Sequence, residues 1–147
     1  MSLSTKSKGY FIEDLKVGMS AEYSRVVTQQ DIQDFADVSG DDNPVHLDEE
    51  FAKETMFRGC IAHGMLSAGY ISTVIGTKLP GPGVIYLGQQ LKFLAPVRAG
   101  DTVITTATVT KVNTEKRRAT LETICSVDNK PVIRGEALVM VPSNKKK

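Results

Sequence analysis

The pattern of apolar and polar positions changes character near the middle of the chain. In the first half, apolar residues come in short groups separated by polar loops. Ala21 to Val27 reads as a short strand. Thr28 then stands where a helix N-cap stands, with Asp31 completing TQQD, a capping box in which Asp replaces the usual Glu or Gln. Ile32, Phe35, Ala36 and Val38 suit a short helix that closes near Ser39-Gly40. Asp41 to Leu47 reads as an extended or turned loop, because Pro44 disfavours helical geometry at Asn43. Asp48 is placed to cap a second short helix running through Glu54.

The segment HGMLSAGYISTVIG, His63 to Gly76, is apolar nearly all round and carries no Lys, Arg, Asp or Glu. Such a pattern predicts a centrally buried helix, and its small residues permit close backbone approach. After it the pattern turns to strands. Val84 to Val97, Thr102 to Val112, Arg117 to Val127 and Pro131 to Val141 are rich in Val, Ile, Thr and Leu. Turn signals at Ala99-Gly100-Asp101, Asn113-Thr114-Glu115 and Asp128-Asn129-Lys130 separate them. Successive strands joined by short turns predict an antiparallel meander. One apolar helix and one long antiparallel sheet give an α+β domain, with the sheet wrapped around the helix.

Composition narrows this further. A chain of 147 residues suits one domain, assigned to 10–142, with a flexible tail at 1–9 and a basic tail at 143–147. A hydrophobic fraction of 41% with 24% charged residues excludes disordered and low-complexity classes. Eighteen Lys and Arg against 17 Asp and Glu leave a formal charge of +1, so no nucleic-acid partner is expected. Cys60 and Cys125 lack CxxC spacing and are expected to be buried thiols in a reducing cytosol. Only His46 and His63 could supply imidazole ligands, so no metal site is expected. The N-terminal run MSLSTKSKGY has no apolar core, and Ile61 to Ile75 is too short and broken to span a bilayer. A soluble cytoplasmic protein with no membrane partner is the expectation.

The chemistry concentrates in Ser39-Gly40-Asp41-Asp42-Asn43-Pro44-Val45-His46. A carboxylate five residues from a histidine suits acid–base work, because the acid can hold one imidazole tautomer and raise its basicity. A capped turn, with Asp and Asn bonding local N–H groups, explains the same residues without catalysis.

The run Phe35 to His46, with its GDDNPVH core, resembles the hydratase motif of the MaoC-like family, which includes the (R)-specific enoyl-CoA hydratases. Arg58-Gly59-Cys60-Ile61-Ala62-His63-Gly64-Met65-Leu66 resembles the family's entry into its central helix. Leu79 to Gly83, Tyr86 to Gln89, Phe93, Pro96, Val97, Gly100-Asp101 and Gly135-Glu136-Ala137 are similar as well. The resemblance covers about residues 10 to 141. It implies a hot-dog fold, a homodimer with sites near the subunit interface, and no metal or redox cofactor. The implied reaction is reversible addition of water to a trans-2-enoyl-CoA, giving the (3R)-hydroxyacyl-CoA, with coenzyme A carried by the substrate.

The resemblance makes Asp41 and His46 the catalytic pair that polarises water. It makes the Gly64 N–H, at the start of the helix, the donor to the thioester oxygen, with the glycine letting the thioester approach closely. Ser39 and Asn43 are expected to support the loop, Asp42 to face solvent or cap the turn, and His63 to bond at the helix end. Ser72 and Ile75 are expected at the acyl pocket, although a helix-bonded Ser72 and a plain core Ile75 fit the residues too. Lys92, Arg98 and Arg134 are the candidates for the coenzyme A phosphate. Two alternatives stay open: a hot-dog acyl-CoA thioesterase and a non-catalytic acyl-CoA-binding protein. The first commonly needs a carboxylate on or beside the central helix, and His63 to Gly76 has none. The second does not need both Asp41 and His46.

Overall fold

Three strands form the middle of the sheet: β3 (Thr102–Asn113), β4 (Arg118–Val127) and β5 (Lys130–Met140). They come from the computed structural model, which describes residues 9–145. The three strands make the antiparallel meander that the pattern predicts. Asp128 and Asn129 both take positive φ, 51° and 65°, at the β4–β5 turn. Asp and Asn tolerate that geometry, and it suits the twist of a tight hairpin. One face of these strands is buried: Val103, Thr105, Ala107 and Val109 on β3, Ala119, Leu121, Thr123 and Cys125 on β4, Ala137 and Val139 on β5. The period of two sets that face.

The helix α4 (Gly64–Thr77) lies in the concavity and buries Ser67, Tyr70, Ile71, Val74 and Ile75. The arrangement is that of the hot-dog expectation. The helix is not buried all round, however. Met65 is 56% exposed, and Gly69 and Ser72 are exposed as well. Their spacing of four and three residues marks one uncovered stripe of the helix.

The strand order β1-β3-β4-β5-β2 corrects the simple meander. β2 (Ile85–Phe93) pairs with β5, not with the next strand in sequence, and β1 (Ser20–Val26) closes the other edge against β3. The chain between β2 and β3 must therefore cross three strand spacings, roughly 14 Å. Residues 94 to 101 make that crossing, and fully extended they reach about 26 Å. The Ala99-Gly100-Asp101 signal marks a turn at the end of this crossing, not a hairpin.

At Gly135 the β2–β5 contact is close enough to test. A Cβ there would lie 1.9 Å from the Gln90 carbonyl oxygen, a main-chain atom with no room to give. Gly135→Ala is expected to lower stability by about 1–3 kcal/mol or more through overpacking. An unchanged urea midpoint would show that β2 sits farther from β5 than described.

The first half holds α1 (Gln29–Ser39), α2 (Pro44–Leu47) and α3 (Glu49–Lys53). Asp31 completes the capping box despite its shorter side chain. Its carboxylate accepts from Thr28 N–H at 3.1 Å, while Thr28 Oγ1 accepts from Asp31 N–H at 3.0 Å. Arg25 pairs with the same carboxylate at 2.7 Å and holds it below the usual Asp range. Gly40 ends α1 at φ 81°. The expected irregular loop contains a helical turn instead. Pro44 restricts Asn43, which is non-helical, but proline itself suits the first helical position, so α2 begins there.

The polar tails call for a smaller correction. Residues 1–8 and 146–147 lie outside the described part. Gly9 already packs against Pro82, and Ser143 and Asn144 donate to the Glu13 carboxylate, so both ends are tied in closer than a frayed tail. Cys125 is buried, whereas Cys60 is only half-buried. Among the described residues, no helix is long and apolar enough to cross a membrane.

Candidate active site

The loop from Ser39 to His46 is held by its own short side chains. Ser39 Oγ donates to Phe35 O at 2.6 Å and accepts from Asp41 N–H at 3.1 Å. Asp41 Oδ1 accepts from Asn43 N–H at 3.3 Å, and Asn43 Oδ1 caps α2 through Val45 N–H at 3.1 Å. Ser39 and Asn43 thus fold the loop that carries Asp41, which is exposed along with Asp42.

His46 sits on α2 and is 8% exposed. Its Nδ1 lies 2.8 Å from the Ile61 carbonyl oxygen. A carbonyl only accepts, so Nδ1 carries the proton and Nε2 keeps its lone pair. The tautomer is thus set by Ile61, where sequence reasoning gave that task to Asp41. The Ile61 carbonyl is itself fixed, because Ile61 N–H donates to Val45 O at 3.2 Å and Ala62 N–H to Val97 O at 2.6 Å. Burial keeps the His46 imidazole below its ordinary pKa, offset in part by the Ile61 bond and the Asp41 charge. At neutral pH it is an unprotonated acceptor.

His63 was expected to bond at the helix end. It is the N-cap residue of α4, but its side chain makes no cap bond. Its Nε2 instead lies 2.8 Å from the Asp41 main-chain carbonyl, and its ring stacks on His46 with centroids 3.8 Å apart and planes at 29°. One oxygen of Asp41 and one ring nitrogen each of His46 and His63 lie within 4.8 Å of one another. Among the described residues no hydrogen bond joins Asp41's carboxylate to His46. Groups up to about 4.8 Å apart are bridged by a single water making two bonds of about 2.8 Å. The trio fits a shared metal poorly. Imidazole lone pairs lie in the ring plane, and two stacked rings do not converge on one ion at about 2.0–2.1 Å.

Gly64 opens α4, and its N–H has no acceptor among the described residues. A Cβ at Gly64 would come within 2.6 Å of the Phe93 ring. In this structure, therefore, it is the Phe93 ring that the missing side chain admits. Phe93 is 53% exposed and can swing away. Beside Gly64 opens a mainly apolar cavity of about 340 Å³, lined among others by Met56, Phe57, Ile61, His63, Ser67 and Phe93.

Ser72 and Ile75 do not line this cavity. Ile75 is fully buried in the core, and Ser72 points along the uncovered stripe of α4. From α4, Gly64 and Ser67, one helical turn apart, line it instead. Among the phosphate candidates, Arg98 is committed to the fold, donating to Phe57 O at 2.6 Å and Cys60 O at 3.3 Å. Lys92 and Arg134 are exposed and face each other across β2 and β5.

Residues 13–131 match the family described as MaoC like domain. The chain belongs to this family. Among MaoC-like relatives, an (R)-specific enoyl-CoA hydratase of Rhodospirillum rubrum is 54% identical over 91% of this chain and 93% of its own. A 3-hydroxybutyryl-CoA dehydratase of Methylorubrum extorquens is 48% identical over 90% of this chain and 84% of its own. The structure of an R-hydratase from Pseudomonas aeruginosa superposes with a TM-score of 0.87 and 44% identity, covering 92% of this chain and 88% of that one.

Proposed function

We infer that this MaoC-like protein is a hydro-lyase, an (R)-specific enoyl-CoA hydratase that runs reversibly as a 3-hydroxyacyl-CoA dehydratase. The observation that carries the reading is the approach of an Asp41 carboxylate oxygen to within 4.8 Å of a His46 ring nitrogen, with Nδ1 of that ring committed to the Ile61 carbonyl and Nε2 left as the acceptor. Both groups accept hydrogen bonds, so a water between them donates to both and turns its oxygen outward. That oxygen adds to C3 of the trans-2-enoyl thioester. The dyad takes one water proton and delivers a proton to C2 on the same face, so the proton account closes. The pair titrates as a unit.

As C3 is attacked, negative charge moves to the thioester oxygen. The free N–H of Gly64 at the helix start is suited to receive it, and the helix dipole favours the developing charge. The reaction is neutral in redox terms and calls for no cofactor beyond the coenzyme A that the substrate brings. The apolar cavity beside Gly64 suits the chain or thioester arm of such a substrate. Of the three phosphate candidates, Lys92 and Arg134 are the two not bonded into the fold among the described residues, and like charges opposed across two strands are stabilised by an anion.

A second copy of the chain is the partner we assign to the uncovered stripe of α4. Phe93 and Leu94 are exposed, and β2 leaves a sheet edge unpaired. A homodimer covers an apolar helix face and an open edge together. The two free thiols suit a reducing compartment, the cytoplasm.

The test is loss of enoyl-thioester absorbance on mixing the purified protein with crotonyl-CoA, followed by chiral analysis. Rapid formation of (3R)-hydroxybutyryl-CoA is expected. Release of free thiol without hydration, across short and long enoyl chains, would replace this reading with the thioesterase.

A further inference from the structure

His63 takes no part in the chemistry outlined above, yet it is 2% exposed and touches both halves of the dyad. Its Nε2–H donates to the main-chain carbonyl of Asp41, and its ring face lies on the His46 ring. Phe35 of α1 packs on the ring at 4.7 Å and 55°, which fixes it from the side of the first helix. The residue is also the N-cap of α4, one position before Gly64. Its Nδ1 is buried and has no partner among the described residues. Leaving a buried nitrogen unpaired carries a desolvation cost. A residue kept only for packing would not need a polar ring there.

We propose that His63 is a positioning residue that ties the reactive loop to the head of α4, so that Asp41, His46 and the Gly64 N–H keep one mutual geometry. The inference rests on the hydratase reading. Two separable contacts do the work. The Nε2–H bond sets the distance of Asp41 from the helix. The stacked ring keeps water off one face of His46 and limits its rotation about the Ile61 bond. The groups facing His46 are Asp41 on the loop and His63 itself; Phe35 and His46 face His63. Desolvation is the main reason that His46 stays neutral, and the neighbouring His63 acts in the same direction.

Two substitutions separate the contacts. His63→Phe keeps a ring on His46 and deletes the donor. His63→Gln places an amide N–H where Nε2 stands and deletes the ring. With crotonyl-CoA, His63→Phe is expected to lower kcat about 100-fold, the scale of a misplaced catalytic group, with KM within a few-fold. His63→Gln is expected to recover at least about ten-fold of that loss, the cost of one restored donor. It should also move the acidic limb of kcat/KM to higher pH, because His46 loses its cover and so holds a proton more readily. In the wild-type protein, ring ¹⁵N shifts should show His63 as the Nε2–H tautomer. Variants with wild-type kcat and an unmoved limb would overturn the proposal. So would equal losses in both variants with the limb unmoved, or a wild-type His63 that exchanges freely between tautomers. An inactive wild-type enzyme would instead overturn the hydratase reading, a separate outcome.

Discussion

Replacing His46 by Asn should lower kcat for crotonyl-CoA hydration by about 10²–10⁴-fold, the usual contribution of a positioned acid–base group. Asparagine is the informative substitution here. Its amide nitrogen stands where Nδ1 stands, so the bond to the Ile61 carbonyl survives and no buried acceptor is stranded. What disappears is Nε2, the lone pair that faces the water. The wild-type pH profile carries a matching signature. A buried imidazole holds its proton less readily than a free one, so the acidic limb should fall below the free value of about 6.5. Activity is retained above that limb and lost as pH falls through it, because protonation removes the acceptor. If His46→Asn turned over crotonyl-CoA within about ten-fold of wild type, the water would have to be activated elsewhere, and the dyad would be dismissed.

How far the site could be read from sequence follows from which contacts are local. Thr28–Asp31, Ser39–Asp41 and Asn43–Val45 are bonds between near neighbours, and their capping and turn chemistry is visible in the letters. The alternation Val103, Thr105, Ala107, Val109 is likewise local, and it placed β3 correctly against the core. Apart from the helical turn at Pro44, a local feature, the misplacements are non-local. Nothing in the strand pattern shows that β2 would pass over β3 and β4 to pair with β5, because that choice lies in the reach of residues 94 to 101. His63 contacts a carbonyl 22 residues earlier, and Ile61 contacts a ring 15 residues earlier. Main-chain partners leave no residue-type trace. The all-round apolarity of α4 did carry information, but of a different kind. One chain covers this helix on one side only, and the stripe left open carries no charged residue, which is what favours the proposed second subunit there. Ser72 lies on that uncovered stripe, whereas Ile75 is buried in the core.

The companion substitution, Asp41→Asn, should also lower kcat by about 10²–10⁴-fold, and the structure explains why the fold should not notice. Asp41 is exposed. Its N–H bonds Ser39, its carbonyl accepts from His63, and its Oδ1 accepts from Asn43 N–H. An asparagine keeps all three, since its amide oxygen replaces Oδ1, so stability should change by no more than about 0.5 kcal/mol. The loss is confined to the negative charge and to the second acceptor on the water. Because one water is shared, the two residues should not act independently. With either acceptor gone, the other holds a water that is neither aimed nor deprotonated, so the double variant should be hardly slower than the worse single one. A double variant whose loss equals the product of the single losses would mean that the two groups act on separate steps. Asp41 would then serve the substrate and not the water, and the shared-water mechanism would have to be given up.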